Sequence, residues 1–184
     1  MTVDTVIDGE TRRPLADLYP DTSADERAAA RCWVDPVTDE LVMSIGSLLI
    51  RDDSRTVLVD CGLGPDPVGR FRGGVFRSAL RALGVSREEI TDVVFTHLHL
   101  DHIGWAVQEG VPYFPNAIYR CDSRDWEHFV SDDYVIEPWE LASSRPEHDA
   151  ARVRLGPLAG RMEFWRADQE ILPGITAVDA AGHT

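Results

Sequence analysis

The segment Thr96-His97-Leu98-His99-Leu100-Asp101-His102-Ile103-Gly104 places three of the chain's six histidines within six positions. It follows Asp92-Val93-Val94-Phe95, a β-branched and aromatic run that suits a buried strand. In extended backbone, side chains at i and i+2 point the same way, so His97 and His99 can face one ion. Asp101 and His102 come where the chain should turn into a helix, aimed beside the first pair. Imidazole and carboxylate together suit zinc, with manganese, iron or cobalt as alternatives. The chain must therefore fold around a buried strand that ends in a cluster of metal-ligand side chains.

The surrounding pattern supplies the rest of the architecture. Residues 1–38 are polar, acidic and dotted with Pro14, Pro20 and Pro36, and read as an extended or loosely helical lead-in to a domain over 39–184. Leu41–Ile50 and Thr56–Asp60 read as two strands joined by a polar turn, an antiparallel hairpin. Gly62–Gly74, rich in Gly and Pro, is a loop. Val75–Leu83 reads as a helix with Phe76, Leu80 and Leu83 on one face and Gly84 as its stop. Ser86 and Glu89 have the spacing of a capping box. Ala117–Cys121, Arg161–Trp165 and Ile175–Ala180 are further strands. Asp122 caps a helix running to Val130, and Ser144, Pro146 and Glu147 open another that ends near Gly156. Strands alternate with helices but begin with a hairpin, so the fold class is mixed α/β or α+β.

Composition narrows the chemistry. At 184 residues the chain suits one domain. Its formal net charge is -14, and all 18 basic residues are Arg. No basic stripe is available to neutralise a phosphate backbone, so nucleic acid is not the expected partner. The absence of Lys excludes Schiff-base chemistry and a Walker-type phosphate loop. Cys32, Cys61 and Cys121 have no CxxC spacing, which argues against a disulfide framework or zinc ribbon; all three read as small buried hydrophobes. The longest apolar run, Leu41–Ile50, is too short to span a bilayer, and the N-terminus has no apolar leader core. The expectation is a cytoplasmic protein with no membrane partner, its self-association left open.

The His-x-His-x-Asp-His run resembles the signature of the metallo-β-lactamase superfamily, and other stretches agree. Leu58-Val59-Asp60-Cys61-Gly62 is similar to that family's early strand ending in Asp and Gly. Ala181-Gly182-His183-Thr184 looks like the start of its GHTxG loop. The resemblance implies an αβ/βα sandwich, of which this chain supplies mainly the N-terminal half, so that the domain is incomplete on its C-terminal side. It also implies that His183 joins His97 and His99 on one metal, that Asp101 and His102 hold a second, and that Asp60 supports the metal loop from behind. Phe114-Pro115-Asn116-Ala117 and Leu172-Pro173-Gly174-Ile175 point towards the methyl parathion hydrolase and N-acyl-homoserine lactonase branch.

The expected function is a hydrolase of esters, lactones or organophosphates in which one or two zinc ions activate water and Asp101 steers the nucleophile or shuttles a proton. A glyoxalase II-type thioesterase, a β-lactamase, or an inactive metal-binding fragment are the alternatives. No GxSxG elbow or Cys-His signature competes with a metal-made nucleophile. Trp105, Tyr113, Phe114 and Trp126 are candidates to line an apolar substrate pocket, although plain core is the better reading for at least two of them. His128 and His148 read as solvated.

Overall fold

The computed structural model describes residues 1–136, 150–166 and 168–183. Its strands in chain order are β1 (Thr2–Pro14), β2 (Glu40–Arg51), β3 (Thr56–Val59), β4 (Phe71–Arg72), β5 (Asp92–Val94), β6 (Val107–Gln108), β7 (Val111–Pro112), β8 (Ile118–Asp122), β9 (Met162–Trp165), β10 (Gln169–Leu172) and β11 (Ile175–Ala177). The helices are α1 (Leu15–Leu18), α2 (Ala24–Ala30), α3 (Phe76–Ala82), α4 (Leu100–Ile103), α5 (Ser123–Phe129) and α6 (Ala151–Arg154). Seven strands form one sheet in the order β4-β1-β2-β3-β5-β8-β9. The β1, β2, β3 and β4 pairings are antiparallel, whereas β3–β5, β5–β8 and β8–β9 run parallel. The mixed α/β class is as expected from sequence, and so are the β2–β3 hairpin, α3 and α5. Asp122 caps α5 by accepting a hydrogen bond from the Arg124 amide at 2.8 Å.

Period-2 alternation sorts the sheet's side chains to two faces. Leu58, Val93, Phe95 and Tyr119 point into the main core, where they meet Phe76 and Leu80 of α3 together with Trp105 and Phe114. Burial of each such large side chain contributes roughly 1.5–3 kcal/mol. The phenol of Tyr119 is satisfied inside this core, accepting from the Phe114 amide at 3.2 Å and facing the Ala106 carbonyl at 3.2 Å. Val57 and Val94 point to the opposite face. There they pack with Trp165 and with Leu172 of the β10–β11 hairpin. A cavity of about 550 Å³ opens on that face, walled by Val59, Val94, Trp165, Ile171 and Ile175, and reaches His97 and His183 at one end.

The first residues differ from the expected lead-in. β1 is a strand of the main sheet, paired with β2 from Thr2↔Arg51 to Pro14↔Glu40, with a register shift between Ile7 and Gly9. Its Asp8 is fully buried. One carboxylate oxygen accepts the Leu63 and Gly64 amides at 2.8 and 3.0 Å, and the other accepts the Gly74 and Phe76 amides at 2.8 and 3.0 Å. Four backbone donors thus replace the water a buried carboxylate loses. They tie β1 to both ends of the glycine-rich loop.

Other expectations need correction. Cys32 is exposed, because it lies in a short 3-10 turn with no buried residue, while Cys61 and Cys121 are buried as expected. Trp105, Tyr113 and Phe114 are core residues: Trp105 stacks on Phe76, Tyr113 lies tilted against Trp105, and Phe114 meets Tyr113 edge-on, while Trp126 is partly buried against the same core. None of the four walls the cavity beside His97. His128 is exposed, as expected. His148 and the Ser144–Glu147 helix start lie outside the described residues; the helix's expected end is present as α6.

Candidate metal centre

The parallel strands β3 and β5 deliver the site's residues at their C-terminal ends, where neighbouring parallel strands leave a crevice. Asp60 follows β3 directly, in the left-handed region with φ 61°. A non-glycine residue there costs about 1 kcal/mol, offset by what its carboxylate holds. One oxygen accepts the Thr96 amide at 2.8 Å; the other accepts the Thr96 hydroxyl at 2.8 Å and faces His102 Nδ1 at 2.8 Å.

The backbone repeats the same link. The Cys61 amide donates to the His102 carbonyl at 2.7 Å, the Gly104 amide to the Gly62 carbonyl at 2.7 Å, and the Trp105 amide to the Cys61 carbonyl at 3.0 Å. Gly104 is required for this approach, since a Cβ there would lie 1.8 Å from the Leu63 carbonyl carbon. Loop 96–104 is therefore stitched along loop 60–64, with His99 standing at the N-terminal cap of α4.

Hydrogen bonding also fixes which imidazole nitrogens are available. Thr96 has one hydroxyl proton and gives it to Asp60, so its oxygen accepts from His97 Nδ1, 3.1 Å away. The lone pair then sits on His97 Nε2, which is buried and has no hydrogen-bond partner among the described residues. His102 Nδ1–H donates to Asp60, and its Nε2 lies 3.8 Å from Asp101 Oδ2. A carboxylate behind an imidazole orients it and raises its basicity as a ligand.

His183 reaches the same point from the far end of the chain. Its ring centroid lies 4.9 Å from that of His97 and 5.0 Å from that of His99, which are themselves 4.8 Å apart. One nitrogen of each of the three falls within 4.8 Å of the others, close enough to share one ion. Three imidazoles in contact must be neutral or mutually repelled. Burial, then the neighbouring His102, His99 and His183, push His97 down to about 3. Burial and His183 push His99 down to about 4. For His102 burial works downward, but the hydrogen bond and charge of Asp60, with Asp101, outweigh it and the net direction is up. An orphaned His97 Nε2 beside two further imidazoles, with His97 and His99 held below their ordinary value, is a donor set that suits a borderline divalent cation.

The sequence profile of the metallo-beta-lactamase superfamily matches residues 44–158. The chain belongs to that superfamily. A probable metallo-hydrolase of Mycobacterium tuberculosis and its counterpart in Mycobacterium bovis are each 27% identical over 158 residues, covering 74% of this chain and 48% of their own length. Among solved structures, the hydrolase AbOPH of the beta-lactamase superfamily superposes with a TM-score of 0.81 at 20% identity, over 99% of this chain and 63% of that one. AidC, a dizinc quorum-quenching lactonase solved with its N-hexanoyl-L-homoserine product, gives a TM-score of 0.73 at 21% identity, over 93% of this chain and 60% of that one. At these identities the likeness to solved structures is one of fold. The chain spans about half the length of these curated relatives.

In this superfamily member, all six residues singled out from the sequence lie together: Asp60, His97, His99, Asp101, His102 and His183. Asp101 and His102 stand beside the three-histidine group and are not part of it. Thr96 and Asp8 were not singled out. Thr96 has a visible signal, a hydroxyl immediately before His97; Asp8 has none, because Asp-Gly reads as a turn. Cys61, next to Asp60, is fully buried, and burial together with Asp60 pushes its thiol well up, so it is no nucleophile. Among the described residues no helix is long and apolar enough to cross a membrane.

Proposed function

We propose that this chain carries the metal centre of a hydrolase acting on a small ester, lactone or organophosphate. His97, His99 and His183 hold one ion, and Asp101 with His102 contribute to a second. Zinc suits the donor set best, with manganese, iron or cobalt as substitutes. Bound there, the metal supplies Lewis acidity and a nucleophile from solvent water at neutral pH. The chain's own residues do the positioning. Asp60 fixes the His102 tautomer, Thr96 fixes that of His97, and Asp101 stands where it can take up or deliver a proton.

One observation carries this reading: an imidazole from residue 183 meets those of residues 97 and 99, some 85 positions earlier. Similarity to a probable metallo-hydrolase and a fold shared with a dizinc lactonase support the reaction class. The free thiols Cys61 and Cys121 suit a reducing compartment, and we place the protein in the cytoplasm on that ground.

Equilibrium dialysis against zinc followed by elemental analysis is the direct test. One or two equivalents per chain are expected; none would remove the proposal. His97→Ala should lose more affinity than the roughly 10–100-fold that removal of a supporting partner costs, with the far-ultraviolet spectrum retained. A panel of lactones, aryl esters, thioesters and phosphotriesters then separates the lactonase, thioesterase and phosphotriesterase readings.

A further inference from the structure

We propose that Arg124 is a positioning residue for the metal centre: it latches Asp179 to the start of α5 and so aims His183 at His97 and His99. The inference rests on the metal reading above.

After β11 ends at Ala177, residues 178–183 pair with no strand and every one of them is exposed. Gly182, at φ 132°, adds a backbone freedom that other residues lack. An exposed segment with no strand partner is held only by its own few hydrogen bonds and side-chain contacts. Asp179 uses both its oxygens. Oδ2 accepts from Arg124 Nη1 at 3.1 Å, and Oδ1 accepts the Ala181 amide at 3.0 Å, which turns the chain towards His183. Asp179's own amide donates to Asp168 at 3.3 Å.

The other end of the latch is rigid. Arg124 Nε and Nη2 fork onto the two oxygens of Asp122 at 3.0 and 2.8 Å, and Asp122 is a nearly buried residue that ends β8 and caps α5. The guanidinium is thereby oriented before it meets Asp179, a geometry that Lys cannot reproduce. The β8 strand end, the α5 cap, Arg124, Asp179 and the Ala181 turn form one line to the third imidazole. An exposed ion pair adds little to global stability. Its effect here is local, on how often a six-residue segment presents His183 to its two partners.

Two measurements on the full chain test this. In metal-free protein, hydrogen exchange read by mass spectrometry should speed up several-fold in peptides covering 178–183 for Arg124→Ala and for Asp179→Asn, with 96–104 unchanged. Zinc affinity, read by competition with a chromophoric chelator, should weaken about threefold to tenfold in either variant. The double variant should be no worse than the singles, and Arg124→Lys should lie between. Asp179→Asn leaves the Asp122–Arg124 fork intact, so it stays informative if Arg124→Ala disturbs α5. Unchanged exchange in Asp179→Asn, or additive losses in the double variant, would overturn the latch. Failure of the unsubstituted chain to take up zinc would instead sink the metal reading, and the exchange arm would still decide the latch.

Discussion

Loop 96–104 and the tail 178–183 send imidazoles to the same point but are held in unlike ways. The loop is stitched to its neighbour by backbone bonds at Cys61, Gly104 and Trp105, by the Asp60 carboxylate, and by the buried side chains of Leu98, Leu100 and Ile103. Segment 178–183 is exposed throughout and joins the body through Arg124, Asp168 and edge-on contacts of the His183 ring with His97 and His99. On the proposed metal reading, two ligands would be built into the core and the third brought to them. Preorganisation on one side with adaptability on the other would then let an ion complete the site, coupling metal binding to ordering of residues 178–183.

The largest expected difference between the two regions is in amide exchange. The amides of Cys61, Gly104 and Trp105 should exchange at least about a thousandfold more slowly than those of 181–183, since core bonds open only near the global unfolding limit. Nuclear magnetic resonance of the metal-free chain would show it, and comparable rates would erase the contrast. Next comes Asp8→Ala. It leaves four buried amide donors without their acceptor and should cost about 3 kcal/mol or more, read as a lowered urea midpoint. A loss below about 0.5 kcal/mol would mean that loop 62–76 holds itself.

A smaller effect is expected from Asp60→Asn. The amide cannot accept at both ends, so Thr96 and His102 lose a shared anchor, and zinc affinity should fall by about 10–100-fold. Calorimetric titration would detect it. The mildest lever is pH. His97 and His99 are held below their ordinary value in the fold, so the unfolded metal-free chain takes up protons first as pH drops below about 6.5. Stability should therefore fall between pH 6.5 and 5. His102, raised in the fold, works the other way: its contribution is complete below about 6.5 and fades as pH climbs through its folded value. Urea midpoints at several pH values in His97→Ala and His102→Ala would separate the two, and a flat profile would refute both.

How much of this could be read from the sequence follows the same division. The cluster at His97, His99, Asp101 and His102 was legible because its candidate ligands are adjacent and the strand before it is plainly buried. Asp60 was legible because a strand, an acid and a glycine come in order. The placement of His183 was legible only through family resemblance, since nothing local says where residue 183 lies. β1 was obscured by its own design. Val6 and Asp8 both point inward, so the buried face carries a charge, and the register shift at Ile7–Gly9 breaks the alternation. Pattern reading equates burial with apolarity, and a carboxylate satisfied by four distant amides defeats it. The β10–β11 hairpin was seen only in its second half, because Gln169-Glu170 opens it with exposed polar residues.

The placement of Asp8 also sets an order of events as the polypeptide leaves the ribosome. The acid is made first, and its four partners emerge 55 to 68 residues later. Asp8 therefore gains its partners only after β2, the main pairing partner of β1, has been made. The loop that supplies those amides continues from residues 60–64, against which the histidine segment is stitched.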